Sequence, residues 1–176
     1  MSMSDSWSYM SEAEERRFVL RLLDYWQVVR GGRDLPGLAD INFNDMGREA
    51  ASCAVLTTAD PIEESGLSHV GLRLKPSEWD AVVGHSLAEV PEDSLLFQMV
   101  AHLKTLMAKR VPISMGGGFT LYGKPVLGRS ILLPLSENGK DVTHVLGGIN
   151  YKVVRDPVRD DAMRSGSRVA MTGRAR

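Results

Sequence analysis

The sequence predicts an α+β domain, and three observations carry that prediction. A strongly amphipathic stretch lies near the start, a second helical stripe lies in the middle, and apolar segments of period two flank that second stripe. The implied order is helix, two strands, short helical turns, one longer helix, and three meandering strands. At 176 residues and 43% hydrophobic content, the chain suits one domain plus tails.

Ser11 and Glu14 have the spacing of a capping box, so the first helix starts there. Phe18, Leu22, Tyr25, Trp26 and Val29 then fall on one helical stripe, which Val19 and Leu23 widen. Gly31-Gly32 ends the helix, because glycine adopts the left-handed conformation of a C-cap at little cost. From Gly31 to Asp45, with Pro36, Gly37 and two asparagines, the chain reads as a connector.

Ala51 to Thr58 is an apolar, β-rich segment. Val70, Leu72 and Leu74 alternate with Gly71, Arg73 and Lys75, as in a half-buried strand; the two segments suggest a hairpin joined through Asp60-Pro61. Pro76 to Val90, interrupted by Gly84, suits short helical turns. Pro91-Glu92-Asp93 opens a second helix, with Leu95, Leu96, Met99, Val100, Leu103, Leu106 and Met107 on one continuous stripe.

From Val111 the period is strand-like. Val111, Ile113, Met115, Phe119 and Leu121 share parity across Gly116-Gly117-Gly118, which reads as a strand bend, a bulge or a place of close approach. Gly123-Lys124-Pro125 supplies a turn, Val126 to Leu135 a mostly apolar strand, Asn138-Gly139 a hairpin, and Val142 to Val154 the last strand. The predicted organisation is an N-terminal helix and connector (1–45), a domain (46–154) and a disordered basic tail (155–176) containing six arginines.

Composition excludes several jobs. Lys and Arg (21) balance Asp and Glu (22), which argues against a dedicated nucleic-acid binder. A single cysteine, Cys53, excludes an intrachain disulfide framework, fits a reducing cytoplasmic setting, and is read as a small buried hydrophobe. No apolar run is long enough for membrane insertion. No nucleophile elbow or phosphate loop occurs; the paired arginines Arg155/Arg159 and Arg164/Arg168 read as a solvated tail, so the sequence predicts no enzyme.

The opening, Tyr25-Trp26, Arg30-Gly31-Gly32-Arg33-Asp34-Leu35-Pro36 and Ala39-Asp40-Ile41, resembles a family of bacterial single-domain PAS-like proteins, although Gly37-Leu38 stands where that family has a more basic stretch. Gly84-His85-Ser86-Leu87 with Pro91-Glu92-Asp93 looks like the PAS crossover. Ile131 to Ser136 followed by Asn138-Gly139 looks like its fourth strand and the hairpin into the fifth. The resemblance implies a five-stranded antiparallel sheet with helices over one face and a pocket between them. It also implies a sensory or regulatory protein that binds a small ligand or a partner protein and signals in trans.

In that frame the expected pocket is lined by Val70, Leu72, Leu103, Met107, Phe119 and Leu133. His102 is the candidate cofactor residue, because a histidine of the crossover helix ligates haem iron in oxygen-sensing PAS proteins; the alternative is a boundary histidine beside the core, and neither haem nor flavin is expected. Flavin coupling of the light-sensing type lacks its crossover cysteine. The first helix carries more apolar surface than one face buries, so Phe18, Leu22, Tyr25, Trp26 and Val29 are expected to form a homodimer interface; the competing explanation is that the helix folds back over the domain's own sheet and leaves a monomer. The competing functions are a ligand-free scaffold acting through dimerisation, and a small α+β enzyme.

Overall fold

The computed structural model describes residues 12–154. The Ser11 half of the capping box and the tail 155–176 lie outside the described residues. Helix α1 (Glu12–Arg30) ends where Gly31 takes φ 59°, as the glycine pair predicts. A connector containing short 3-10 turns leads to β1 (Cys53–Thr57) and β2 (Gly66–Val70). Another 3-10 turn precedes α2 (Leu95–Val100) and α3 (Leu103–Lys109); β3 (Ile113–Leu121), β4 (Lys124–Leu135) and β5 (His144–Val153) complete the chain.

The five strands form one antiparallel sheet in the order β2-β1-β5-β4-β3. At its centre, Gly147 and Gly148 of β5 point to opposite faces. A Cβ on Gly148 would sit 2.5 Å from Leu22 and 3.0 Å from Phe18, both on α1. One on Gly147 would sit 2.8 Å from Met99 of α2. The absence of two side chains thus lets helices press on both faces, giving three layers with α1 on one side and α2–α3 on the other.

This arrangement corrects the expected dimer interface. Phe18, Leu22 and Trp26 are buried in the chain's own core, Tyr25 and Val29 are half-buried, and α1 lies across β4 and β5. The Trp26 indole N–H donates to the Pro134 carbonyl at 2.8 Å, locking helix to sheet. The physical reason is in β4: Ser130 to Leu135 is buried on both faces, so one layer of helices cannot cover it. The apolar stripe of α1 meets this surface and leaves the helix no unpaired apolar face; only Leu20 and Val28 of its large apolar side chains stand exposed.

Two element predictions need correction as well. The single crossover helix is two, starting at Leu95 with the Ser94 hydroxyl accepting from the Phe97 N–H and breaking at Ala101–His102. Leu96, Met99, Leu103 and Leu106 are all buried across the break, so the stripe is continuous even though the axis is not. Glycine and proline are both absent there, and no local residue announces it. The second strand ends at Val70, and Gly71 turns the chain: its N–H donates to the Cys53 carbonyl and its own carbonyl accepts from Leu74. The triple glycine of β3 keeps unbroken register with β4; the irregularity lies instead between β1 and β2, at Val55/Leu56.

Candidate functional site

A cleft of about 200 Å³ opens on the α2 side of the sheet. Its wall is the break between α2 and α3, which contributes Gln98, Ala101 and His102; its floor is Met115 to Phe119 of β3, Gly128 and Ser130 of β4, and Ile149 of β5. Gly117 and Gly128 are cross-strand partners, so the floor lacks two neighbouring side chains. At Gly128 a Cβ would meet the Phe119 ring at 2.7 Å, so the missing side chain is what makes room for that ring over β4. At Gly117 a Cβ would meet nothing within 4 Å; that open space is the cleft itself. The lining joins a thioether, an aromatic ring and bare backbone to one amide, one imidazole and one hydroxyl.

Of the residues expected to line a pocket, only Phe119 does so, and His102 joins it. Leu103 is buried beneath α3, and strand alternation puts Leu133, also fully buried, on the α1 face. Val70 and Met107 are half-buried and outside the cleft. Leu72 is 87% exposed, because its alternation runs past the end of β2. The glycines and Ser130 were missed because a cleft floor built from missing side chains leaves no hydrophobic pattern. The available sign was the run Gly116-Gly117-Gly118 in a strand, one of whose meanings is close approach of a ligand.

The remaining histidines are apart from the cleft. His69 stacks on Phe43 at 3.9 Å, and burial lowers its pKa. His85 stacks on Trp79 at 4.0 Å and contacts Glu89 at 3.1 Å. His144 lies beside the Thr143 hydroxyl. Among the described residues no group of three or more His, Cys, Asp or Glu could hold a metal ion. Cys53 is fully buried, and burial pushes its thiol up to about 12, so it behaves as a core residue and not a nucleophile. The cleft does not fit a haem: it is smaller than the roughly 300–1,000 Å³ of drug-sized ligand pockets.

The motif that carries the sequence resemblance is architectural. Asn42 donates its N–H to the Tyr25 hydroxyl at 2.7 Å, Arg33 pairs with Asp40 at 2.8 Å, and the Gly37 N–H donates to the same carboxylate at 2.7 Å. The Ser136 N–H donates to the Pro36 carbonyl, and the Leu38 N–H to the Glu137 carboxylate. These bonds tie the connector to α1 and to the end of β4. A five-stranded antiparallel sheet with the crossover helices α2 and α3 over one face is the arrangement the resemblance implied, and the structure adds that β1 and β2 lie beside the last strand of the meander. The fold is PAS-like.

Solved structures similar to this chain are PAS and light-oxygen-voltage (LOV) domains and a sensory-box protein. The PAS domain of Bordetella pertussis BvgS aligns with TM-score 0.39 and 10% identity over 69% of this chain and 89% of that one. The Rhodobacter sphaeroides LOV protein aligns with TM-score 0.39 and 13% identity over 76% and 80%. A sensory box histidine kinase/response regulator from Burkholderia thailandensis aligns with TM-score 0.33 and 17% identity over 74% and 98%. No protein-family profile matches the sequence, and no curated protein is significantly similar to it. No described helix of the PAS-like chain is long and apolar enough to cross a membrane.

Proposed function

We propose that this chain is a sensory or regulatory module that binds a small, partly polar molecule in the glycine-floored cleft and acts in trans on another protein. The cleft carries the reading: a concave site that joins bare backbone, a thioether and an aromatic ring to three polar side chains suits a ligand smaller than drug size. Bare backbone at Gly117, beside the Phe119 ring that sits over Gly128, suits a small flat group lying against the sheet, with Met115 at its edge. Gln98, His102 and Ser130 would then select its polar rim.

Native mass spectrometry of freshly purified protein, beside the Gly117→Leu variant, tests this. The wild type is expected to carry a small molecule, or to gain thermal stability with members of a metabolite set, and the variant to lose either effect because leucine fills the floor. A wild type with no bound mass, and no compound that distinguishes it from the variant, would overturn ligand sensing and favour the ligand-free scaffold.

A further inference from the structure

The two edges of the sheet are treated differently. Along β2, the segment around Ser86 closes the edge: the Leu67 N–H donates to the His85 carbonyl, the Leu87 N–H to the Ser65 carbonyl, and Gly66 bridges Ser86. Among the described residues no segment covers the far side of β3. That edge is nine residues long and contains no charge, no proline and no bulge, the devices by which a sheet edge is normally kept from pairing.

The backbone polarity of β3 follows from its hairpin. Tyr122 and Gly123 form a two-residue loop with φ 50° and 76°, so the pair that closes it, Leu121 with Lys124, is hydrogen-bonded. The Val154 N–H donated to Pro125 gives the same alternation from the β5 side. Odd-numbered residues of β3 therefore bond to β4, and Ser114, Gly116, Gly118 and Thr120 aim their N–H and C=O groups outward. All four are small and exposed, and the Arg129 side chain beside Gly116 lies over the face of the sheet, so their own side chains leave the edge open to an approaching backbone.

We infer that β3 pairs antiparallel with β3 of a second copy of this chain, about a two-fold axis at Gly117. Gly117 is the midpoint of Ile113–Leu121, so full overlap of the strands and correct hydrogen-bond parity occur in the same register. Gly116 faces the partner's Gly118, and Ser114 faces the partner's Thr120, giving about eight backbone hydrogen bonds. The residues of β3 themselves offer a different partner no charge to recognise, whereas a second copy is complementary by symmetry.

The exposed apolar side chains support the same occupant. Val111, Met115, Tyr122 and Leu127 stand 48%, 42%, 75% and 41% exposed, all on or beside this hairpin. The symmetric register sets Met115 against the partner's Phe119, and Tyr122 against the partner's Pro112 with the partner's Val111 next to it. Met115 and Phe119 both line the cleft, so each copy adds a side chain to the rim of the other's site and the two clefts share one border.

Light scattering and cysteine crosslinking of the full chain test the pairing, without reference to any ligand. The wild type at ~100 μM is expected at twice 19.3 kDa. Ser114→Lys with Thr120→Lys sets like charges opposite and gives a monomer; Ser114→Glu with Thr120→Lys restores the dimer. Under oxidation Gly117→Cys becomes a covalent dimer, since a non-hydrogen-bonded pair across the axis brings the Cα atoms to ~4.5 Å, while Thr120→Cys stays uncrosslinked. A monomeric wild type, a dimeric double-lysine variant, or equal crosslinking of the two cysteine variants would each overturn the inference. Should a lysine variant unfold, the crosslinking pair decides alone.

Discussion

Asp40 shows how one side chain fixes the shape of the connector. It accepts from the Gly37 N–H and pairs with Arg33, and these contacts, the backbone bond first, hold its carboxyl below the usual carboxylate range despite some burial. A carboxylate whose folded pKa is depressed contributes stability above its unfolded pKa and loses it as pH falls through the folded value. Asp40→Asn is therefore expected to cost about 1 kcal/mol at pH 7, discounted for the partly exposed ion pair. Urea titrations at pH 7 and at pH ~3 check this: the gap between wild type and variant should narrow in acid. An equal gap at both pH values would show that the carboxylate charge contributes nothing.

At the scale of elements, the glycines decide how closely layers approach, and their costs of substitution differ by what surrounds them. A Cβ on Gly71 would press on the backbone carbonyls of Ala50 and Ala51, which cannot yield without moving the chain. On Gly148 it would meet the ends of Leu22 and Phe18, which can rotate. Gly71→Ala is thus expected to destabilise by about 3 kcal/mol or more, and Gly148→Ala by about 1–2 kcal/mol. Thermal melts of the two variants give the order, and the reverse order would mean that α1 is held more rigidly than the backbone leading into β1. Nothing in the hydrophobic pattern distinguishes these glycines, because the contrast lies in atoms distant along the chain.

For the molecule as a whole, α1 is a layer of the core. Removing residues 1–30 would uncover the apolar face of β4 and β5 and lose the burial of Phe18, Leu22 and Trp26, each worth roughly 1.5–3 kcal/mol. Together they rival the ~5–15 kcal/mol that holds an ordinary domain folded. The truncated chain is expected to lack a cooperative melt by circular dichroism and to bind a hydrophobic dye. A sharp transition within a few degrees of the wild type would show that the sheet stands without its helix. Trp26→Ala should fall between these extremes, at about 3–5 kcal/mol, since it also orphans the Pro134 carbonyl.

Period and punctuation in the sequence determined the order of elements. The glycine pair after Arg30, the strand parity of Ile113 to Leu121 and the turn residues at Asn138-Gly139 act within a few residues of themselves, so a local reading finds them. The apolar run of β4 was legible as a strand, but its burial on both faces shows only in the packed structure. Which surface would supply that cover was a tertiary question: the stripe of α1 fits a partner helix and a sheet equally well by pattern, and the sheet of the same chain is always at hand. The cleft belongs to the same category. It is a volume left empty between Gly117, Gly128 and a break in a helix, and an absence of atoms has no period to read. Only the packing of α2 and α3 over β3 and β4 decided where that absence would fall.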